Sequence, residues 1–345
     1  MRLDGAFGSD PTTAASRARQ LETAGYDGGW TSETAHDPFL PLVTAAAHTT
    51  RLGLGTNVAV AFARSPMTVA HSAWDLQLLA EGRFILGLGS QIKAHITRRF
   101  SMPWSRPAAR MEEYIRALGA IWDSWESGQR LNFRGDFYQH TLTNPNFVPK
   151  PQPHGRPKVY LAAVGPRMTK AAGRAADGLL CHGFTTADYL RDVTLPALRQ
   201  GEADAGRPEP VQVSLLAMTV AAETAEAFEA QCNAVRREIA FYGSTPAYRS
   251  VLEHHGWGDA QGELHALSMQ GRWNEMAAVI DDVMLRTFAA VGTPAEAAAI
   301  LAERYGNSAD RLTPVGAHTD GDGAETPASL ALLRCLRDAL GRPDR

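Results

Sequence analysis

The 345-residue chain has few cysteines, and their positions exclude two common kinds of site. It contains three, Cys181, Cys232 and Cys335, which lie far apart in the sequence. A small odd number argues against a framework of disulfides, and the spacing matches no metal-binding motif. We therefore expect a protein from a reducing compartment, with no metal site.

The sequence also lacks a strong excess of charge and a long apolar run. Its formal net charge is −3, which offers no basic field for a nucleic acid backbone. Arg2 and Asp4 place charges where a secretion signal needs an apolar run, and no stretch is apolar enough to span a bilayer. These absences predict a cytoplasmic protein that binds neither nucleic acid nor membrane.

Short apolar runs alternate with longer amphipathic segments along almost the whole chain. The runs predict strands at Leu3–Phe7, Gly29–Ser32, Leu52–Val60, Phe84–Gly89, Val159–Val164, Gly178–His182, Val211–Ala221 and Arg311–Val315. The segments between them predict helices, the first over Pro11–Ala24 with Asp10 as its N-cap. About eight βα units favour one domain over residues 1–345, an α/β fold of the (β/α)8 TIM barrel type with insertions. The alternative is an open doubly wound sheet, but no G-x-G-x-x-G follows the first strand.

Two segments are longer than the βα units need. Residues 128–157 are rich in Pro, Asn and Gly and predict an extended insertion or hairpin over one face. Residues 248–291 are mostly helical in pattern and exceed one crossover connection. We expect both segments to shape the pocket of a small-molecule substrate.

In a barrel of this kind the active site lies at the carboxyl ends of the strands. The run Gly53–Val58 has glycines inside a strand, which suggests a bulge or a close backbone approach against a flat ring. Glycines that only leave space for other side chains in the barrel interior explain the pattern equally well. The next strand ends in an unhindered backbone at Gly89, Ser90 and Gln91.

A later strand turns directly into a helix and predicts an anion site. Ala163 and Val164 lead through Gly165 and Pro166 to Arg167, where free helix amides stand beside a cation. Arg167 is otherwise a solvated charge at a helix start.

The strand after that one ends at His182 and Gly183, a second place where backbone can approach a phosphate. His182 is otherwise a packed core residue.

Two ionisable residues follow the second predicted strand. Glu33 and His36 stand three residues apart, and a carboxylate beside an imidazole can select its tautomer or exchange a proton with a substrate. A capping residue and a surface histidine fit the same spacing. The sequence shows no convincing Ser-His-Asp set and no Walker loop.

Several of these stretches, taken in order, resemble the luciferase-like monooxygenase superfamily, and within it the branch of F420-dependent oxidoreductases. The stretches are Thr50–Val58, Arg64–Pro66 with Ala70, Glu81–Gly89, Pro157–Pro166 and Ala175–Gly178. The resemblance covers roughly the first 220 residues, and beyond them only the barrel architecture.

The resemblance implies roles for the strand ends. It implies a non-proline cis peptide at or near Asn57–Val58 behind the central cofactor ring, with Glu33 and His36 at positions where the family often keeps a catalytic acid or histidine. The residues expected to meet the cofactor ring edge or its side chain are Gly89, Ser90 and Gln91. Those expected to hold its phosphate are Ala163, Val164, Gly165, Pro166, Arg167, His182 and Gly183.

The cofactor that the resemblance implies is coenzyme F420, with FMN as the alternative. F420 implies hydride transfer between the reduced deazaflavin and a small organic substrate, by reduction of an activated C=C or C=N bond or by oxidation of an alcohol. FMN implies a monooxygenase. A non-redox barrel that binds a phosphorylated ligand is the alternative of another class. We also expect a homodimer.

Overall fold

The structure is a computed structural model that describes residues 1–316 and 326–342. Eight parallel strands pair in chain order, and the eighth pairs with the first, so the sheet closes. They are β1 (Arg2–Ala6), β2 (Gly28–Thr31), β3 (Gly53–Thr56), β4 (Phe84–Gly89), β5 (Lys158–Ala163), β6 (Gly178–Cys181), β7 (Gln212–Ala221) and β8 (Arg311–Val315). The predicted (β/α)8 barrel is confirmed, and the open sheet is wrong.

Helices surround the barrel and build the long connections. They are α1 (Ala14–Ala24), α2 (Leu40–Ala47), α3 (Pro66–Leu79), α4 (Pro107–Ser127), α5 (Pro166–Ala175), α6 (Ala187–Tyr189), α7 (Leu195–Asp204), α8 (Ala225–Gly243), α9 (Arg249–His254), α10 (Gly258–Met269), α11 (Trp273–Met276), α12 (Asp282–Phe288), α13 (Pro294–Tyr305) and α14 (Pro327–Ala339). Short 3₁₀ or π turns are Ala61–Ala63, His95–Arg99, Pro145–Phe147, Leu190–Thr194, Pro246–Tyr248 and Ala277–Val279. No helix in the described ranges is long and apolar enough to cross a bilayer.

Two predicted elements have different bounds in the structure. The first helix begins at Ala14 rather than at Pro11, because the Asp10 carboxylate accepts hydrogen bonds from the Thr12 backbone and side chain and holds a separate turn. The third predicted strand is interrupted at Asn57 and resumes as the two-residue strand Ala59–Val60.

The two long segments contain short regular elements. Residues 128–157 contain an antiparallel hairpin of Phe133–Arg134 with Gln139–His140. The second segment is mostly helical, but it ends in the strand Ala290–Gly292, which was missed because three residues carry too little pattern. That strand pairs with the end of β7, which extends past its barrel neighbours, and α8 to α12 pack there around a second apolar core.

The amino end of the barrel interior is filled with side chains. The Asp4 carboxylate accepts hydrogen bonds of 2.7 Å from both the Nε and Nη2 atoms of Arg311, and one of 3.1 Å from Trp30 Nε1. Tyr160 donates its hydroxyl hydrogen to Gln212 beside them. We call these five residues the barrel floor. Burial raises the pKa of the Asp4 carboxyl, and Arg311 opposes that shift.

Candidate active site

The interior above the barrel floor is lined mostly by small residues. Alternate residues of a barrel strand face the axis, so the positions two residues past the floor face the space above it. The small residues at these positions are Ala6, Ala162, Ser214 and Thr313, and two glycines, Gly55 and Gly87, lie level with Trp30 and Tyr160 of the floor. Ala6 is exposed although it lies within a barrel strand, so solvent reaches into this end of the barrel. We call the opening the barrel mouth.

One polar atom in this lining is unused by the protein. The Oγ1 atom of Thr313 is buried and has no hydrogen-bond partner in the part of the chain that the structure describes. A buried hydroxyl without a partner is uncommon in folded proteins. Its place beside small residues fits a bound molecule that supplies the partner.

The end of β3 and the strand β4 approach each other closely at one side of the mouth. The peptide bond between Asn57 and Val58 is cis, at the position that the resemblance implies. A Cβ atom on Gly87 would lie 1.8 Å from the Thr56 carbonyl oxygen, and one on Gly89 would lie 2.8 Å from Cγ2 of Val58. The glycines of β4 are therefore needed for this backbone approach.

Gly55 of β3 has a different reason. A Cβ atom there would lie 2.3 Å from the indole of Trp30, so Gly55 gives room to a barrel-floor side chain. Within the run Gly53–Val58, Gly55 therefore makes room inside the barrel.

The turn after β4 is held by its own side chains. Gln91 has the left-handed φ of 60°, and its Oε1 atom accepts a hydrogen bond of 3.0 Å from the Ile92 amide. The Ser90 hydroxyl donates to the Gln91 carbonyl at 3.1 Å. Both residues are partly exposed beside Gly89, which fits their predicted place at the ring edge.

Glu33 lies in an ion-pair network that ties the loop after β2 to the segment after β3. Its Oε2 atom accepts hydrogen bonds of 2.7 Å from the Val60 amide and from Arg64 Nη1, and its side chain is 5% exposed. The other arm of Arg64 contacts Asp37 at 2.9 Å. Burial lowers the pKa of Arg64, but the hydrogen bonds and charges of Glu33 and Asp37 outweigh burial and raise it overall.

His36 and its neighbours are more open. The His36 side chain is exposed and forms no hydrogen bond with the described residues. Next to it, the Thr34 carbonyl accepts a hydrogen bond of 2.6 Å from Arg99, and the Thr34 hydroxyl lies 3.3 Å from that of Ser9. These contacts join the loops after β1, β2 and β4 at the rim of the mouth.

The predicted anion site lies at the start of α5. Gly165 has a φ of 77°, which favours glycine, and Pro166 occupies the first turn. Ala163 is buried, whereas Val164 and Arg167 are exposed, and Arg167 forms no ion pair within residues 1–316 and 326–342. The helix therefore presents its first amides and a cation to the rim of the mouth.

His182 is packed between residues that sequence reasoning did not single out. Its ring centroid lies 4.5 Å from that of Tyr242 and 5.0 Å from that of Tyr248. The Phe184 amide donates a hydrogen bond of 3.0 Å to its Nδ1 atom. Burial lowers the pKa of His182 to about 4, so the imidazole is neutral near pH 7.

The sequence carries no signal for several of these partners. Arg64 and Asp37 lie 27 residues apart, and only the tertiary structure pairs them. Tyr242 and Tyr248 are helical-segment aromatics, which in most proteins are simply core residues.

Comparisons with known proteins place the chain among oxidoreductases. The model of the family described as luciferase-like monooxygenase matches residues 3–311. An uncharacterised protein of Mycobacterium tuberculosis is 51% identical over 316 residues, which are 91% of this chain and 93% of that protein. The F420-dependent glucose-6-phosphate dehydrogenase of Kineococcus radiotolerans is 35% identical over 215 residues, which are 58% of this chain and 60% of that enzyme.

Solved structures with the same fold differ in cofactor. The coenzyme F420-dependent tetrahydromethanopterin reductase of Methanopyrus kandleri has a TM-score of 0.75 and 18% identity, with 96% of each chain covered. The oxygenating constituent of 3,6-diketocamphane monooxygenase from Pseudomonas putida, solved with FMN, has a TM-score of 0.66 and 15% identity over 97% of this chain and 94% of that one. At such identities the likeness concerns the fold. The family match covers most of the chain, which therefore belongs to the luciferase-like monooxygenase family.

Proposed function

We propose that this protein is an F420-dependent oxidoreductase that acts on a small organic substrate. The observation that carries the proposal is the barrel mouth, an open space lined by small residues between the Asn57–Val58 peptide and the start of α5. The 35% identity to an enzyme named as F420-dependent supports deazaflavin over flavin.

The residues at the mouth fit a flat cofactor with a phosphate. Val58 and the turn of Gly89, Ser90 and Gln91 would lie against the ring system. The phosphate would meet the amides of Gly165 to Arg167 at the start of α5, with the Gly183 backbone beside them. The partnerless Thr313 hydroxyl gives the cavity one unused donor. A deazaflavin bound there supplies or accepts a hydride.

The protein's own residues would position the reaction and manage the proton. Glu33 is engaged by Arg64 and by the Val60 amide, which suits a positioning residue that holds the segment after Asn57 and Val58 in place. His36 is exposed at the rim and free to exchange a proton with solvent. Of the two predicted catalytic residues, we propose His36 for proton transfer and Glu33 for support.

The test is cofactor binding followed by turnover. Purified protein is titrated with F420 and with FMN while cofactor fluorescence is followed, and reduced F420 consumption without oxygen is compared with oxygen-dependent turnover of reduced FMN. We expect tighter binding of F420 and oxygen-independent consumption. Tighter FMN binding with oxygen-dependent turnover would support a monooxygenase instead. A protein that binds neither cofactor would contradict the oxidoreductase proposal and leave the non-redox barrel.

The predicted homodimer has a surface that suits it. Exposed apolar side chains lie on α2, at Leu40 and Val43, and at the end of α3, at Leu78 and Leu79. Exposed apolar side chains of this kind are candidates for an interface. Light scattering on the purified protein measures the mass directly, and a monomer would leave these side chains unexplained.

A further inference from the structure

The imidazole of His182 faces the barrel mouth. His182 is the first residue past β6, and it shares its side of the strand with Leu180. Leu180 packs inside the barrel, where its Cδ1 atom would lie 2.8 Å from a Cβ atom added to Gly87 of β4. The neighbour of His182, Gly183, stands beside Val315 at the end of β8. His182 therefore lies on the wall of the mouth.

Two tyrosines from the helical insertion complete this part of the wall. The rings of Tyr242 and Tyr248 lie 5.9 Å apart, and each lies within 5.0 Å of His182. Tyr242 is near the end of α8, and Tyr248 ends the turn that follows. We call His182, Tyr242 and Tyr248 the donor cluster.

Each member of the donor cluster offers a hydrogen-bond donor that no residue in the described ranges uses. Nδ1 of His182 accepts a hydrogen bond, so the proton of the neutral ring is on Nε2. Neither Nε2 nor the two phenolic hydroxyls has a hydrogen-bond partner among the described residues. None of these three atoms is fully buried, so solvent can reach them.

All three donors stay neutral near pH 7. Burial lowers the pKa of His182 to about 4, and it raises the pKa values of Tyr242 and Tyr248. Neutral donors in an apolar wall stabilise charge that develops on an oxygen.

The charged residue of α8 that lies one turn from the donor cluster is an acid. Glu238 lies one turn before Tyr242, and burial raises the pKa of its carboxyl. It forms no ion pair with any residue that the structure describes, and Arg236 on the same helix is paired with Asp282. A phosphate placed at this wall would meet a carboxyl group and three neutral donors.

We propose that the donor cluster binds the carbonyl oxygen of an uncharged, flat, apolar substrate, such as a cyclic ketone or enone, and that this site rejects sugar phosphates. The proposal rests on the proposed function and narrows it to a substrate class. In this proposal the His182 imidazole contacts the substrate, and the Gly183 backbone contacts the cofactor. It also separates this chain from the glucose-6-phosphate dehydrogenase of Kineococcus radiotolerans, which matches 58% of it.

The experiment uses cyclohex-2-enone with a ¹³C label at the carbonyl carbon. Protein loaded with oxidised F420 is titrated with the enone, and the carbonyl resonance and dissociation constant are measured by NMR. We expect saturable binding with a downfield shift, and no displacement by glucose 6-phosphate. Tyr242→Phe and Tyr248→Phe each remove one hydroxyl and should weaken binding about 3- to 10-fold, the effect of one neutral hydrogen bond.

Tyr189→Phe is the matched control. Its hydroxyl lies 2.9 Å from that of Ser250, so the same deletion removes a contact outside the donor cluster and should leave enone binding unchanged. Equal affinity in all four proteins, absence of enone binding, or displacement by glucose 6-phosphate would overturn the proposal. The titration is repeated without F420, so a protein that fails to bind F420 but binds the enone contradicts the proposed function alone.

Discussion

The two ends of the barrel interior are built on opposite plans. At the barrel floor, Asp4 is fully buried and Arg311 is 3% exposed, and each satisfies the other with two hydrogen bonds. At the barrel mouth, Ala6 is exposed and Thr313 keeps a hydroxyl without a partner in the described structure. The polar groups of the floor are therefore satisfied inside the barrel, whereas the Thr313 hydroxyl at the mouth is not satisfied by any residue that the structure describes.

The same comparison applies to the ion pairs at the two ends. The pair of Asp4 and Arg311 is sealed from water. At the mouth the Glu33 side chain is only 5% exposed, but its partner Arg64 is 19% exposed and Asp37, the second partner of Arg64, is 39% exposed. Breaking a sealed pair strands a charge in an apolar interior, and breaking an exposed one lets water replace the lost partner. We therefore expect a larger loss of stability from breaking the pair at the floor than from breaking the one at the mouth.

The largest effect is expected at the barrel floor. Arg311→Ala should lower the free energy of unfolding by about 3–5 kcal/mol, because it leaves the Asp4 carboxylate buried without its cation. Urea denaturation measures the change. The double variant Asp4→Asn with Arg311→Met removes both charges and should recover much of the loss. A loss below about 1 kcal/mol in the single variant would show that the floor is not sealed.

The next effect concerns the acid side of the stability profile. Burial lowers the pKa of His182 to about 4, whereas a histidine in an unfolded chain titrates near 6.5. Between these values the unfolded chain binds a proton that the native imidazole does not, so stability falls as the pH decreases from about 7 to 4. The loss reaches about 3 kcal/mol below pH 4.

Comparison with His182→Asn isolates this contribution. Both proteins are unfolded with urea at several pH values from 7 to 4, and the difference between their free energies of unfolding should shrink or change sign as the pH falls. A difference that stays constant over this range would show that the imidazole is not held neutral at the mouth.

A smaller effect is expected from filling the barrel mouth. Ala6→Leu places a larger side chain in the open space and should weaken cofactor binding about 10- to 100-fold, the cost of about 1–3 kcal/mol for overpacking. Because Ala6 is exposed, the free energy of unfolding should change by less than about 0.5 kcal/mol. Ala6→Ser is the control of nearly unchanged size. Unaltered cofactor affinity in Ala6→Leu would remove this position from the site.

The smallest effect is expected at Glu33. Glu33→Gln keeps an oxygen for the Val60 amide and loses the charge that faces Arg64, so we expect a loss of about 1 kcal/mol in stability. Turnover should fall by less than about 10-fold if Glu33 is a positioning residue. A loss of about 10² to 10⁴ in kcat would instead identify it as the general acid or base. Asp37→Asn, at the more exposed contact of Arg64, serves as the milder control.

Much of the architecture was predictable because it is written in local patterns. The alternation of apolar runs with amphipathic segments predicts eight barrel strands within a few residues of their bounds, since burial of both faces of a parallel strand needs a continuous apolar run. The Gly165–Pro166 turn likewise marks the start of α5, because its φ and the proline ring suit a helix start. The strand Ala290–Gly292 was not predicted, because three residues are too few to show a hydrophobic period.

The barrel mouth could be predicted only in part. Strand ends locate it, since parallel strands bring their carboxyl ends to one side, and the resemblance placed the cis peptide at Asn57 and Val58. The sequence does not show which residues surround each side chain. It therefore cannot decide between a catalytic and a structural role for Glu33.

The sequence by itself determined the barrel, the parallel direction of its strands and the approximate ends of those strands. Only the tertiary structure decided which polar groups have hydrogen-bond partners and which lack them among the described residues. Asp4 meets Arg311 across 307 residues, and His182 meets two tyrosines from a separate helical segment. Such pairings depend on chain closure and on packing between distant elements, which no local pattern encodes.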